Sequence, residues 1–301
     1  MSVLNQQIQL PLLSDKQLSL HIKREDLLHP HISGNKYRKL KYNIIAAQKS
    51  GFDSLLTFGG AYSNHLAATA YTGKEYGFKT IGVIRGEEIK SKWRKNPTLS
   101  QAYDFGMRFH FVSREVYRQK ENVNFLNDLE QRFGKNYVLP EGGTNSLAVK
   151  GCEEILTKED KEFDVICCSV GTGGTVAGIV NASCPEQRVL GFSALAGNFL
   201  KEDIRRFARN NNWELANEYN FGGYAKVNEE LIGFINNFKS NTQVPLDPIY
   251  TGKMIYGILD LAKKGYFRPG TKILAVHTGG LQGITGMNLN LKKKNLPLIS
   301  I

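Results

Sequence analysis

The chain has no long apolar run and only four cysteines among its 301 residues. Without roughly 20 consecutive apolar residues, we expect no membrane-spanning helix. The segment Met1–Gln7 has no basic region followed by an apolar core, so we also expect no signal peptide. The cysteines are Cys152, Cys167, Cys168 and Cys184, and they show no Cys-x-x-Cys spacing. We therefore expect no metal site, and a reducing, cytoplasmic compartment.

Acidic residues are the scarcer charged class, with 28 Asp and Glu against 39 Lys and Arg and a net charge of +11. A basic chain attracts anions, which are either nucleic acids or small molecules. The densest basic groups, Lys90–Lys95 and Lys292–Lys294, come with no helix-turn-helix or zinc-finger spacing. The charge therefore favours small anionic ligands over nucleic acid.

What the chain does contain is a repeated order of apolar strand, glycine-rich turn and helix. Strands are predicted at 18–24, 54–58, 80–84, 108–112, 137–139, 164–170, 188–193 and 272–276, and helices at 35–50, 64–76, 97–105 and 122–133. This alternation predicts an α/β fold with an open parallel sheet. The mainly apolar run at 164–170 suits a strand covered on both faces. Ligands of such sheets bind at the carboxyl ends of the strands.

The stretch Ser33–Leu40 carries the most informative lysine. Gly34 and Asn35 are the turn and N-cap residues of a helix start, which leaves Lys36 in the first helical turn. The positive end of the helix dipole and the neighbouring basic side chains should both lower the pKa of Lys36. A lysine of lowered pKa is the usual Schiff-base nucleophile. The simpler interpretation of this stretch alone is a solvated basic helix face.

The turn Gly171–Thr175 follows the 164–170 strand and precedes a helical segment. Glycines let backbone N–H groups surround an anion, and the helix dipole favours negative charge there. The turn lacks the lysine of a triphosphate-binding loop and the spacing of a dinucleotide loop. We predict a cup for a single phosphate, formed by Gly171, Thr172, Gly173, Gly174 and Thr175. The alternative is a tight turn without a ligand.

Two further strand ends carry polar residues. In Gly59–His65, Ser63 or Asn64 can cap the next helix, whose N-terminus would suit a carboxylate. In His277–Gly280, Thr278 could donate a hydrogen bond to a ring nitrogen. The alternative in both cases is an ordinary turn. A poised lysine, a phosphate cup and a carboxylate site together indicate pyridoxal phosphate and an amino-acid substrate.

These residues also resemble the 1-aminocyclopropane-1-carboxylate deaminase / D-cysteine desulfhydrase family of pyridoxal-phosphate enzymes. The matching stretches, in order along most of the chain, are Lys23–Leu27, Gly34–Leu40, Ser63–His65, Pro140–Gly143, Gly171–Thr175, Tyr250–Lys253 and His277–Gly280. The resemblance implies the two-domain, tryptophan synthase β-like fold (fold type II). A cofactor domain would comprise residues 1–50 plus 141–301, with a smaller α/β domain at 51–140. It also implies a homodimer.

The resemblance assigns a role to each candidate site residue. Lys36 would hold the cofactor and move the substrate proton, with Ser63 as a second candidate base. Residues 171–175 would hold the phosphate, and Thr278 would face the pyridine nitrogen. The remaining roles are cofactor hydroxyl and substrate contact for Asn64, carboxylate binding for Ser63 and His65, and substrate binding for Thr251. Tyr224 and Tyr250 would be catalytic residues that approach the substrate side chain. The alternative for the two tyrosines is ordinary packing.

Three positions indicate the branch of the family. Deaminases of the cyclopropane amino acid carry Gln, Glu and Leu where this chain has His65, Thr251 and Thr278, whereas D-cysteine desulfhydrases carry His, Thr and Thr. The chain therefore looks like a lyase that converts a small amino acid to a 2-oxo acid and ammonia by β-elimination. Deamination of the cyclopropane amino acid is the alternative. Tyr62 and Ala67 depart from the family's usual Gln and Arg.

Two interpretations of other classes remain. A dinucleotide-dependent oxidoreductase would need an acidic residue about 20 positions beyond the Gly171–Thr175 turn. Ser193 and Ala194 stand there instead, which counts against it. A catalytically idle protein that binds pyridoxal phosphate would keep the fold without turnover, and the departures at Tyr62 and Ala67 are the features that favour it.

Overall fold

The computed structural model describes residues 3–195, 197 and 200–300. The strands are β1 Asn5–Ile8, β2 Ser19–Lys23, β3 Ser54–Gly59, β4 Lys79–Arg85, β5 Met107–Val112, β6 Tyr137–Leu139, β7 Val165–Val170, β8 Arg188–Ser193, β9 Trp213–Ala216 and β10 Lys272–Val276. The α-helices are α1 Pro11–Asp15, α2 Asn35–Lys49, α3 Asn64–Tyr76, α4 Pro97–Asp104, α5 Arg114–Tyr117, α6 Val123–Phe133, α7 Ser146–Glu153, α8 Gly174–Ala182, α9 Leu200–Arg205, α10 Glu229–Thr242, α11 Thr251–Lys263 and α12 Gly283–Lys293.

The larger sheet has the order β1-β2-β10-β7-β8-β9. Only β1 runs antiparallel to its neighbour among these strands. Every residue of β7 is buried, and its side chains alternate between two cores. Cys167 packs with helices α10 to α12 on one face, and Cys168 packs with α7 and α8 on the other. A strand covered on both faces explains why its sequence is almost continuously apolar.

The smaller sheet is wholly parallel, with the order β5-β4-β3-β6. Its strands lie between residues 54 and 139, whereas those of the larger sheet lie at 5–23 and 165–276. All strands of the smaller sheet therefore lie within the predicted smaller domain, residues 51–140, and all strands of the larger sheet lie outside it. The division into two domains itself stays a prediction. The α/β class with open parallel sheets is confirmed. No helix of the described ranges has both the length and the apolar content to cross a bilayer.

The start of α2 differs in one detail from the prediction. The N-cap is Gly34, at φ +62°, and Asn35 is the first helical residue instead of the cap. A Cβ at Gly34 would lie 2.0 Å from the carbonyl oxygen of Thr278, so only glycine fits there. The Asn35 amide donates a 2.7 Å hydrogen bond to Oγ1 of Thr175. The helix start is thus fixed against the first turn of α8 and the turn after β10, and this fixes the position of Lys36.

Candidate active site

A cavity of about 570 Å³ opens between the carboxyl ends of the two sheets. Its wall is built by the first turn of α2 and by the turns that follow β3, β7 and β10. This is where an open parallel sheet is expected to bind its ligand. The cavity brings together most of the residues predicted for the site, namely Lys36, Ser63, Asn64, His65, Gly171, Thr172, Gly173, Thr175, Tyr224, Tyr250 and Thr278.

Lys36 lines the cavity and is only partly exposed. Burial, followed by the positive charge of Lys39, lowers its pKa to about 7. The lowered pKa was predicted from the helix dipole and the neighbouring cations, but desolvation of the Lys36 amine is the larger cause. Arg38 is neutralised by Glu25, whose carboxylate accepts bonds of 2.8 and 2.9 Å from its guanidinium. Near neutral pH a large share of Lys36 is therefore the neutral, nucleophilic amine.

The turn after β7 has the geometry of an anion cup. Helix α8 begins at Gly174, and its N-cap is Gly173 at φ +80°. No side chain of the described residues caps the first backbone N–H groups of this nine-residue helix, which leaves them available to a ligand. Gly171 lies against the ring of Tyr250, where an added Cβ would come 3.3 Å from the phenol oxygen.

Lys39 is a buried cation directly beneath this cup, with 2 % of its surface exposed. Its Nζ donates to the carbonyl oxygen of Gly142 at 3.0 Å, to Oγ1 of Thr144 at 2.9 Å and to Oγ1 of Thr172 at 3.4 Å. These partners are all neutral oxygens, and burial lowers the pKa of Lys39. A buried ammonium without a carboxylate is costly. A phosphate bound in the cup would supply the missing negative charge, so the residues present fit that group.

Lys39 is a ligand-binding residue that was not predicted from the sequence. There it entered only as one of the neighbouring charges that repel Lys36. The two lysines are three residues apart on α2, a spacing that places both side chains on one face of the helix. That spacing could have identified Lys39 from the sequence. If Lys36 points toward the cavity, a residue three positions later on the same helix face points toward it too.

The turn after β3 leads into the N-terminus of α3. Ser63 is the N-cap, and its hydroxyl accepts a 3.3 Å hydrogen bond from the backbone N–H of Leu66. Asn64 is the first helical residue, and its side-chain oxygen accepts a 3.0 Å bond from the amide of Gln282. Between the two candidates for the cap, the structure therefore selects Ser63. The cavity wall here combines a helix N-terminus with side-chain donors, which suits a carboxylate.

His65 is the least satisfied polar residue of the site. It is 1 % exposed, lines the cavity, and neither of its ring nitrogens has a hydrogen-bond partner among the described residues. Burial, together with the positive charges of Lys36 and Lys39, holds its pKa well below the usual value. The imidazole is therefore neutral, with one donor and one acceptor available to a bound molecule.

Thr278 and the two tyrosines complete the cavity wall. Oγ1 of Thr278 lies 3.1 Å from Oγ of Ser169, a cavity residue at the end of β7 that the sequence argument did not select. The rings of Tyr224 and Tyr250 meet edge to face with centroids 6.3 Å apart. Burial raises the pKa of both phenols. They are therefore protonated and can donate hydrogen bonds into the cavity.

Thr251 and Gly174 are the predicted site residues that do not line the cavity. Thr251 is fully buried, and its hydroxyl donates a 2.8 Å bond to the carboxylate of Asp247. The same carboxylate accepts a 3.0 Å bond from the backbone N–H of Tyr250. This geometry does not favour the direct contact with substrate that was expected for Thr251. Thr251 instead stabilises the turn that carries Tyr250. A Cβ added at Gly174 would lie 2.7 Å from Cγ2 of Thr144.

The comparison with known proteins agrees with this geometry. The model of the family described as "Pyridoxal-phosphate dependent enzyme" matches residues 4–279. The chain is 32% identical, over 299 residues, to a Pyrococcus horikoshii protein named "Putative 1-aminocyclopropane-1-carboxylate deaminase", and the match covers 88% of this chain and 85% of that protein. It is 31% identical, over 294 residues, to the mitochondrial bifunctional D-cysteine desulfhydrase/1-aminocyclopropane-1-carboxylate deaminase of Arabidopsis thaliana, with 88% and 73% covered.

A solved structure gives the same result for the fold. The crystal structure of a 1-aminocyclopropane-1-carboxylate deaminase homologue superposes with a TM-score of 0.83 and 29% identity, and it covers 97% of this chain and 94% of its own. The predicted fold type II architecture is thus confirmed. With a cavity that joins a neutral lysine to a phosphate cup, and a family match over nearly its whole length, the chain belongs to the pyridoxal-phosphate-dependent enzymes, and pyridoxal phosphate is its cofactor.

Proposed function

We propose that this enzyme eliminates the β-substituent of a small amino acid and releases a 2-oxo acid and ammonia, with D-cysteine as the reference substrate. The observation that carries the proposal is the partly buried Lys36 amine, with a pKa near 7, in one cavity with the phosphate cup and the N-terminus of α3. His65 and Thr278, both in the cavity wall, favour the desulfhydrase branch over the deaminase branch. The name of the Arabidopsis relative includes both activities.

The cofactor, when bound, supplies an electron sink for the negative charge that develops at the substrate α-carbon. The Gly171–Thr175 turn and Lys39 would hold its phosphate. Lys36 would hold its aldehyde carbon and, once displaced by the substrate amine, take the α-proton at Nζ. Ser63 is the second candidate for that base, since it lines the same cavity.

The other side chains orient the substrate. The N-terminus of α3, with Ser63, Asn64 and His65, would bind the α-carboxylate. Tyr224 and Tyr250 would donate hydrogen bonds toward the departing β-substituent. Loss of the α-proton and of the substituent gives 2-aminoacrylate, which water hydrolyses to pyruvate and ammonia. From cysteine, the substituent leaves as sulfide.

Deamination of 1-aminocyclopropane-1-carboxylate is the second candidate, because the relatives carry that name. An assay separates the two activities. The holoenzyme is incubated with D-cysteine, with L-cysteine and with the cyclopropane amino acid, and sulfide and 2-oxo acid are measured. We expect sulfide and pyruvate from D-cysteine. A 2-oxo acid from the cyclopropane substrate alone would replace the proposal with the second candidate. No turnover of any of the three would favour the idle pyridoxal-phosphate-binding protein.

We also propose a cytoplasmic homodimer. Four free cysteines, of which Cys152, Cys167 and Cys168 are buried, suit a reducing compartment. The dimer rests on the family resemblance. Light scattering after size-exclusion chromatography tests it, and a monomer mass would contradict it.

A further inference from the structure

The charged side chains that line the cavity are Lys36, Lys39, Arg85 and Glu141. The proposed function gives the two lysines their roles, with the cofactor aldehyde and its phosphate. Glu141 already has partners, since one carboxylate oxygen accepts a 2.8 Å bond from the Tyr117 hydroxyl and the other lies 3.4 Å from Nζ of Lys120. Arg85 is the charge for which the reaction has no assigned use.

Arg85 is the last residue of β4, at the carboxyl end of the smaller sheet. Its guanidinium carbon lies 5.6 Å from the centroid of the Tyr117 ring, within the range of a cation–π contact. A Cβ placed on Gly60 would be 3.4 Å from Nη2 of Arg85. Gly60 begins the turn that ends at Ser63. The guanidinium therefore borders the part of the cavity where the substrate binds.

Arg85 has no carboxylate partner within ion-pair distance in the described part of the chain. Glu88, on the turn after β4, is bound to Arg114 at 2.7 Å, and Glu141 pairs with Lys120. A guanidinium stays charged at every physiological pH and offers paired N–H donors that match a carboxylate, sulfonate or phosphate. A partly buried guanidinium beside a substrate site, without an acidic partner of its own, is the arrangement that selects an anionic group of a ligand.

Building on the proposed function, we infer that Arg85 is a specificity-determining residue that selects amino acids with an anionic group on the β-carbon. The α-carboxylate already has the N-terminus of α3, and the cofactor phosphate has Lys39 and its cup. The anion left for Arg85 is the β-substituent. The thiol of D-cysteine is mainly neutral, so turnover of D-cysteine measures the elimination reaction without a contact between Arg85 and an anionic β-substituent.

The step balances for a β-sulfonate substrate. The α-proton goes to Nζ of Lys36, and the carbon–sulfur bond breaks with its electron pair on sulfur. Sulfite leaves beside the guanidinium. The 2-aminoacrylate that remains takes up water and gives pyruvate and ammonia, so no oxidant or reductant is needed.

Binding of aspartate and asparagine tests the inference without turnover. Dissociation constants for both enantiomers are measured by calorimetry on the holoenzyme, on R85Q and R85K, and on R108Q as the control. Arg108 is exposed, lies on the adjacent strand β5, and is absent from the cavity wall. We expect wild type and R108Q to bind one aspartate enantiomer about tenfold or more tightly than the matching asparagine. R85Q should lose that preference, and R85K should keep part of it.

Two results would overturn the inference. One is equal affinity of the wild-type holoenzyme for aspartate and asparagine. The other is a loss in R85Q that is the same for both ligands, because it would assign Arg85 to the α-carboxylate. Sulfide release from D-cysteine by wild type, run in parallel, reports the proposed function separately. If sulfide release is absent but aspartate is still preferred, the elimination reaction is contradicted and the anion site stands. Thermal unfolding of each variant identifies any variant that is misfolded.

Discussion

The two walls of the cavity differ in how their polar groups are satisfied. On the wall built by the larger sheet and α2, Asn35 is bound to Thr175, and Lys39 to Gly142 and Thr144. On the wall built by the smaller sheet, His65 has no hydrogen-bond partner in the described chain, and Arg85 has no acidic one there. The first wall is organised before any amino acid arrives, which suits a resident cofactor. The second keeps polar groups available, which suits a substrate that enters and leaves.

Replacing Lys36 should have the largest effect, because it removes the chemistry that the first wall supports. We expect K36A to lose all measurable sulfide release from D-cysteine, since the covalent attachment of the cofactor and the first candidate for the α-proton base both disappear. The measurement is sulfide release by wild type and K36A at equal concentrations of folded protein. Turnover by K36A near the wild-type rate would contradict the assignment of Lys36.

Replacing Lys39 should separate the phosphate cup from the rest of the first wall. K39M should bind pyridoxal phosphate about 10- to 100-fold more weakly, because a charge-assisted contact with the phosphate is lost. Its affinity for pyridoxal, which has no phosphate, should stay close to that of wild type. K41M is the matched control, since Lys41 is on the same helix but pairs with Glu154 outside the cavity. An equal loss for both ligands would mean that Lys39 supports the fold instead of the phosphate.

The pH dependence of cofactor capture tests the state of Lys36 itself. The neutral amine is the nucleophile, and the pKa of Lys36 is about 7. Below that pH the protonated form increases, so the rate of capture by the apoenzyme should fall by about tenfold for each pH unit. Above it the rate should level off. Stopped-flow absorbance between pH 5 and pH 9, within the range where the protein stays folded, gives this profile. A rate that keeps rising through pH 9 would contradict the lowered pKa and would indicate that Lys36 titrates like an ordinary lysine.

Replacing His65 should have the smallest effect and should be confined to the second wall. H65A should raise the KM for D-cysteine by about fivefold, the size of one lost hydrogen bond, with little change in cofactor affinity. The free energy of unfolding should change little through hydrogen bonding, because the ring nitrogens have no partner to lose among the residues that the structure describes. H65Q, which keeps a donor and an acceptor, should restore part of the affinity. A larger effect on cofactor binding than on KM would assign His65 to the first wall.

The parts of the site that were predictable are local in sequence. Lys36 follows a glycine turn, Ser63 precedes a helical pattern, and Gly171–Thr175 links a buried strand to a helix. Each of these signals lies within about ten residues, and all three face the same cavity. The ends of the predicted helix at 64–76 coincide with those of α3 for the same reason, because Ser63 and Gly77 are local caps.

The parts that were missed depend on pairs far apart in sequence. Lys39 contacts Thr144 and Thr172, more than 100 residues away. Arg85 was not selected because nothing near it in sequence shows that its side chain faces the cavity without a carboxylate. Thr251 was matched to a family motif, but its bond to Asp247 turns the hydroxyl away from the cavity. Local patterns find helix starts and turns, whereas contacts between distant segments require the fold.

The most direct test of the central claim is to locate the cofactor's covalent attachment. The purified protein, incubated with pyridoxal phosphate, is reduced with borohydride, digested and analysed by mass spectrometry. The account predicts a near-visible absorption band that borohydride removes, and a phosphopyridoxyl group on Lys36. Lys39 is the rival that the chemistry allows, because it lines the same cavity and burial lowers its pKa. No band, or a label on Lys39 in place of Lys36, would contradict the account.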